Sequence, residues 1–410
     1  MRIIVTGAGI GGSVLALALE QFGAKEGIDY VVLEQAPALT EVGAGIQLSP
    51  NGVRILERLG LADDLSRFGV EPGSHQLKNW KTGETVLQTP LKAVVKDTFG
   101  APYYHAHRAD LIDALAIRLN PNRLRLNTKV VSVDQDGDKV TARLADGSSE
   151  IGDVLIGADG IHSVIRNQVF NPEPPRPSGY VAWRGMVSTE RAAHLGIDKQ
   201  SVAVMGPRLS IVFYYVSGGT KINWVAIGAS DDKIHESWSQ TASKDEVRKS
   251  FDDWYDHAKG LVDLTDELFV TALHDREPLR GWVDGRIAVM GDAAHAMLPY
   301  HAQGAVQSIE DAWVLARSLQ MGQDDPTAAL LKYENLRKDR AQRLQLHSRN
   351  AEHWYHLDDA EEVARRDTRL AAHALNSETG LTPQQIWLFS YDAEKAAMGT
   401  DDEWRALREW

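Results

Sequence analysis

The stretch "RIIVTGAGIGGSVLALALEQFG", Arg2 to Gly23, decides the fold. "RIIVT" has the apolar, β-branched pattern of a parallel strand buried on both faces. From Gly7 the pattern changes: glycines at 7, 9 and 12 spell G-x-G-x-x-G and run into an apolar helix that stops at Gly23. At this spacing Gly7 permits a tight turn, Gly9 lets backbone approach a pyrophosphate, and Gly12 lets the helix pack on the strand. The helix N-terminus adds partial positive charge. A second strand, "DYVVLEQ", then delivers Glu34, 22 residues beyond Gly12, where a carboxylate accepts both hydroxyls of an adenosine ribose. Glu34 repels a 2′-phosphate, so the stretch predicts a bound FAD or NAD rather than NADP. A glycine-rich turn with no ligand is the alternative, and strand, helix and acid in succession argue against it.

Composition narrows the remaining classes. The chain has 410 residues, 43% apolar and 25% charged, with a formal charge of −13. That is an ordinary globular composition, and two joined domains are the expectation for this length. The acidic balance argues against nucleic acid or an anionic membrane as a main partner. Cysteine is absent, which excludes disulfides, zinc–thiolate sites, iron–sulfur clusters and cysteine nucleophiles. His105 and His107 could chelate, but no third ligand is spaced to join them, so no metal site is expected. The N-terminal glycines argue against a signal peptide. No run of 18 apolar residues occurs, so no membrane span is expected and the expected location is cytoplasmic.

Beyond Glu34 the chain does not continue as alternating strands and helices. "TKVVSVDQDGDKVTARLADGSSEIGDVLIGADGIHSVIR" carries turn signals at Asp136-Gly137 and Asp146-Gly147 between alternating segments, then ends on a buried strand. "SGYVAWRGMVS", "SVAVMGP", "RLSIVFYYVSGG" and "TKINWVAIGAS" are strand-like as well. The expected fold class is α/β: a Rossmann-like dinucleotide-binding domain (1–72, 102–177 and 276–343) interrupted by a mostly antiparallel β-sheet substrate domain (73–101 and 178–275). A helical C-terminal region (344–410) follows, with no legible chemistry.

Three motifs, "GAGIGG", "GADGIHSVIR" (Gly157 to Arg166) and "GRIAVMGDAAHAMLPYHAQGAVQSIEDA" (Gly285 to Ala312), occur in the order and approximate spacing of the single-component FAD-dependent aromatic hydroxylases, the class A flavoprotein monooxygenases. "HRADL" and "WLFSYDAE" extend the resemblance over essentially the whole chain, and no second G-x-G-x-x-G is present. Within that family the sequence looks most like the salicylate, 3-hydroxybenzoate and 6-hydroxynicotinate hydroxylases. The resemblance makes the Rossmann-like domain FAD-binding and implies tight non-covalent FAD, NADH or NADPH as co-substrate, and O2. It also implies a small phenolic or hydroxypyridine carboxylate as substrate, hydroxylation through a flavin C4a-hydroperoxide, and a monomer or homodimer.

The same resemblance assigns residues. Asp292, at the edge of the strand "RIAVM", should accept hydrogen bonds from the FAD ribityl chain. The helix starting near Gly304 should aim its N–H groups and positive end at the flavin N1–C2=O edge. Pro299 should face flavin C4a. Arg108 contacts FAD, with a first-turn capping pair with Asp110 as its alternative. Asp159 serves flavin and nicotinamide binding, with a plain turn aspartate as its alternative. Gly45, Val131 and Ala305 complete the cofactor set. "QSIEDAWVLARSL" reads as a packing helix with Glu310 and Asp311 on its solvated side.

For the substrate, Trp183, Tyr214, Tyr215 and Trp224 are aromatic candidates, and Tyr214 matches a family tyrosine that reaches it. Several relatives carry histidine where this chain has Ser210, and several where it has Gln47. His301 is a candidate base in their place, a solvent-facing loop histidine being the commoner situation. Arg184 and Arg208 are candidates for a substrate carboxylate, although strand-end arginines are more often exposed. Two further readings share the fold. One is an epoxidase or halogenase, although the halogenase W-x-W-x-I-P element is absent. The other is a non-catalytic binding protein that has lost flavin, although Glu34, Arg108, Asp159 and Asp292 are all retained.

Overall fold

The computed structural model describes residues 1–23, 27–40, 44–229, 240–376 and 379–400. The strand Arg2–Thr6 lies within a six-stranded sheet, parallel to Asp29–Leu33 on one side and Val154–Gly157 on the other. Leu124–Arg125 and Ile287–Val289 extend it in parallel, and Val283–Asp284 closes one edge antiparallel. Its central strands are buried, as continuous apolar runs require. The helix Ile10–Gly23 packs on the sheet and along the helix Gly304–Met321. The glycine turn is as tight as its sequence requires. Gly7 has φ +93°, and a Cβ on Gly12 would meet the Gly7 carbonyl oxygen at 2.0 Å, so any side chain there would push helix from strand. A three-stranded antiparallel sheet, Val130–Asp136, Lys139–Leu144 and Ser149–Gly152, turns at the two Asp-Gly sites.

The second large sheet has seven strands, in the order Phe269–Asp275, Arg176–Ser188, Lys221–Ala229, Leu209–Val216, Ser201–Gly206, Ser74–Asn79, Thr85–Pro90. It is antiparallel except where Ser201–Gly206 meets Ser74–Asn79. One face packs with Phe251, Trp254 and Leu261 into a separate apolar core. Strand periodicity sorts the aromatic candidates. Tyr215 and Trp224 belong to that core, Trp183 packs against it, and Trp224 Nε1 donates to Thr265 Oγ1 at 2.9 Å. Tyr214 faces the opposite way. Three of the four aromatic candidates are therefore core residues behind the sheet.

The expectation for Glu310 and Asp311 needs a different correction. Both are fully buried. Asp311 accepts from Arg337 Nε at 2.8 Å and from the Gly291 N–H at 3.0 Å, and lies 2.6 Å from His295 Nε2. Glu310 accepts from Arg340 Nε at 2.9 Å and Asn51 Nδ2 at 2.6 Å, and pairs with Arg337 at 2.6 Å. The arginines come from the helix Pro326–Tyr355, which packs on Gly304–Met321. The sequence pattern missed this because a charge on an apolar helix looks solvated until its partner helix is known.

Candidate active site

A cavity of about 880 Å³ lies between the two sheets. Gly9, Ile10 and Gly11 of the glycine turn line one end, and the cavity-facing residues of the seven-stranded sheet line the other. Between them the strand Ile287–Val289 runs out at Gly291, whose backbone (φ 58°, ψ −140°) is essentially restricted to glycine. That turn starts the short helix Asp292–His295 and leaves the Asp292 side chain exposed in the cavity. The helix Gly304–Met321 begins alongside. A Cβ on Gly304 would lie 3.8 Å from Asp292 Oδ1. Gly304, Ala305 and Ser308 line the wall, so the N–H groups that an α-helix leaves unpaired in its first turn, with their partial positive charge, are at the cavity. Pro299 and His301 border the same space from the turn Pro299–His301.

Gly45 and Gln47, on the strand Gly45–Leu48, and Arg108, at the start of the helix Arg108–Ala116, also line the cavity. The Gly45 N–H donates to Asn223 Oδ1 at 2.7 Å, which ties this loop to the sheet. Gln47 joins two tyrosines: Tyr103 Oη donates to its Oε1 at 2.6 Å, and its side chain hydrogen-bonds Tyr214. Burial pushes the Tyr214 hydroxyl far up despite Gln47 and the charge of Arg184, so it stays a protonated donor. The His105 ring, 4.3 Å from that of Tyr214, backs it; burial holds His105 down at about 3.

Other expected residues sit outside the wall. Glu34 accepts from the N–H groups of Ala8 at 2.7 Å and Ala36 at 2.8 Å, so it braces the glycine turn. Asp159 accepts from Ser163 Oγ at 2.5 Å and the Val164 N–H at 2.8 Å, the start of the helix Val164–Phe170. Burial nonetheless raises its carboxyl. Val131 lies on Val130–Asp136, 45% exposed and away from the cavity.

His301 is not solvent-facing. Gln384 Nε2 lies 3.0 Å from its Nδ1, and burial, with His347 beside it, brings the ring down to about 4. Arg184 is 9% exposed and lines the cavity, where Nη1 donates to Thr271 Oγ1 at 2.9 Å. Burial, reinforced by Arg108, pulls its guanidinium down to about 10. Arg208 is exposed in the turn between strands. The C-terminal helices, to which the sequence assigned no chemistry, supply Asn350, Trp354, Tyr355, Leu370 and Phe389 to the wall.

A second cavity of about 200 Å³ shares Ile161 with the first and is lined by His162, Arg166, Glu173 and Arg276. Arg166 is 3% exposed, with Nε and Nη1 unpartnered. Burial, then the charge of Arg276, brings it down to about 10. The sequence contained this arginine within "GADGIHSVIR" but gave no sign that it is buried.

A glycine turn at one end, an open helix N-terminus with an aspartate beside it and an arginine across the cavity suit an extended dinucleotide carrying a ring that accepts negative charge. Fold and site thus define a flavin-binding oxidoreductase. The FAD binding domain family matches residues 1–348, and the chain belongs to the single-component FAD-dependent aromatic hydroxylases. It is an aromatic-ring monooxygenase with FAD as cofactor. A 3-amino-4-hydroxybenzoate 2-monooxygenase of Streptomyces platensis is 36% identical over 393 residues, 96% of each chain. A 6-hydroxynicotinate 3-monooxygenase of Bordetella bronchiseptica is 35% identical over 348 residues, 84% of this chain and 89% of the relative. Among solved structures, HpxO of Klebsiella pneumoniae complexed with FAD and uric acid superposes with a TM-score of 0.80 at 28% identity, covering 99% of this chain and 97% of that one. Among the described residues, no helix is long and apolar enough to cross a membrane.

Proposed function

We propose that this chain uses NADH or NADPH and O2 to hydroxylate a small phenolic or hydroxypyridine carboxylate. The observation that carries the reading is a cavity wall with two guanidinium groups, Arg108 and Arg184, next to a protonated tyrosine, Tyr214. The positive wall favours anionic ligands: it attracts a carboxylate and holds the oxygen of a ring hydroxyl. Tyr214 supplies a fixed donor to such an oxygen. Relatives that act on 3-amino-4-hydroxybenzoate and 6-hydroxynicotinate support the substrate class.

Bound FAD would supply the redox chemistry, accepting two electrons from the nicotinamide and activating O2 for transfer of one oxygen atom. Gly9 and the glycine-turn helix would hold its pyrophosphate, Asp292 its ribityl hydroxyls, and the Gly304 helix N-terminus the ring edge that gains charge. Apolar side chains such as Leu298, Trp354 and Phe389 keep water from the ring side of the cavity. The small cavity at Arg166 supports an anionic co-substrate: its unpartnered guanidinium nitrogens can donate to a nicotinamide dinucleotide pyrophosphate that reaches the main cavity past Ile161.

The test is oxidation of NADH and NADPH by the FAD-loaded protein across a panel of hydroxylated benzoates and pyridine carboxylates, with products identified by mass spectrometry. Oxygen incorporation into at least one member supports the reading. Stimulated nicotinamide oxidation that yields only hydrogen peroxide across the whole panel would refute the substrate class.

A further inference from the structure

Ser210 faces the cavity, and an imidazole reaches it from the end of a distant helix. Ser210 lines the cavity on the same strand face as Val212 and Tyr214. Its Oγ lies 3.0 Å from Nε2 of His356, the residue that ends the helix Pro326–Tyr355. His356 is 5% exposed and its ring stacks on Tyr180, with centroids 4.5 Å apart and planes 16° apart. Its Nδ1 lies 2.9 Å from the Glu352 carbonyl oxygen. A carbonyl only accepts, so Nδ1 carries the hydrogen, and in the neutral ring Nε2 is the lone-pair nitrogen. The Ser210 hydroxyl must then donate to Nε2, which leaves its oxygen lone pairs for the cavity. Burial favours the neutral ring, bringing it down to about 4, against the carbonyls of Glu352 and Ile227.

We propose that Ser210 and His356 form a hydrogen-bonded dyad that makes Ser210 Oγ an acceptor for a ring hydroxyl, amino or ring N–H hydrogen of the substrate. Ser210 touches the ligand, and His356 is a positioning residue that fixes the direction of the serine hydroxyl. A serine alone can turn its hydrogen into the cavity and serve a donor or an acceptor equally. Tied to His356, it admits a donor, while a carbonyl or ether oxygen meets it lone pair to lone pair. The inference rests on the proposed aromatic substrate class and adds the polarity of the group that class must present.

The experiment titrates FAD-loaded full-length protein with 2-, 3- and 4-hydroxybenzoate and with the matching methoxybenzoates, reading Kd from the change in flavin absorbance. The wild type should bind at least one hydroxybenzoate more tightly than its methyl ether. In Ser210→Ala and in His356→Phe, which keeps a ring to stack on Tyr180, that preference should fall about three- to tenfold, the range of one neutral hydrogen bond. His356→Gln, whose amide oxygen can still accept from Ser210, should retain more of it than His356→Phe. If His356→Phe fails to hold flavin, Ser210→Ala, which removes a single oxygen, decides alone. An unchanged preference in flavin-loaded Ser210→Ala would overturn the dyad and leave the substrate class standing. A wild-type holoenzyme that binds none of the hydroxybenzoates would overturn the dyad as a phenol acceptor together with the phenolic part of the substrate class.

Discussion

The Asp311→Asn substitution tests whether the buried ion network supports the flavin site. Asp311 joins three groups: the Arg337 guanidinium, the His295 ring and the Gly291 N–H. An amide can offer its oxygen to one side only, so its NH2 meets either Arg337 or the His295 and Gly291 side, and the buried guanidinium loses a formal charge partner. Removing one member of a buried pair costs about 3–5 kcal/mol. At about 2.1 cal/mol/K per residue, the 410-residue chain unfolds with an entropy of about 0.9 kcal/mol/K, so Tm should drop by about 3–6 °C. Gly291 immediately precedes Asp292, so flavin occupancy should fall as well. The pH dependence has a definite sign. Burial pushes the Asp311 carboxyl up, but His295 and Arg337 outweigh it and hold the group down at about 2, below its ordinary 3.8. Its stabilisation is then complete above about pH 5 and fades as pH falls from about 4 through 2. The gap between wild type and variant should narrow over that window. Calorimetry of both FAD-saturated proteins at pH 7 and pH 3, with flavin quantified after gel filtration, measures each part. A variant that melts within about 1 °C of wild type at pH 7 and keeps its flavin would show that the network contributes nothing to stability or to the site.

Tyr214→Phe should leave FAD binding intact and reduce product formed per NADH oxidised about three- to tenfold, with hydrogen peroxide rising in compensation; wild-type coupling on the best substrate would place Tyr214 outside the chemistry. Arg166→Met should raise KM for NADH about 10- to 100-fold with FAD content unchanged, because a charge-assisted hydrogen bond to phosphate is lost; an unchanged KM would remove the small cavity from nicotinamide binding. Burial, then Asp275, raises the half-buried Glu352 carboxyl to about 7 from its ordinary 4.5, so its ionisation costs stability as pH rises through that interval. Glu352→Gln should therefore gain up to about 1 kcal/mol at pH 8 and nothing at pH 4, screening limiting the effect; equal Tm differences at the two pH values would contradict this.

The nucleotide side of the molecule was legible because its determinants are local. The turn at Gly7 to Gly12, the strand that ends before Glu34, and Gly291 ahead of Asp292 are each set by backbone geometry within a few residues. Period-two patterning found the strands of the second sheet, but it cannot tell which of two apolar faces lies over a cavity and which over a core. Tyr214 and Tyr215 are neighbours with opposite fates for that reason. The resemblance picked out Tyr214; nothing local excluded Tyr215, Trp183 or Trp224.

Polar groups whose partners are remote in sequence were the ones whose surroundings could not be read. Asp311 and Arg337 are 26 positions apart, and Ser210 and His356 are 146 apart. No window of sequence holds either pair. In both cases the long helix Pro326–Tyr355 or the residue that caps it supplies the partner, so one packing event brings both pairs together. It buries Arg337 against Asp311 near the flavin loop, and at its C-terminal end it sets His356 behind Ser210. In the proposed dyad, the helix that buries the ion pairs beside the flavin loop also sets the direction of the Ser210 hydroxyl. Substitution of His356 is therefore expected to alter ligand preference from behind Ser210, whereas changes at Asn350, Trp354 and Tyr355, which line the cavity, act on the ligand directly.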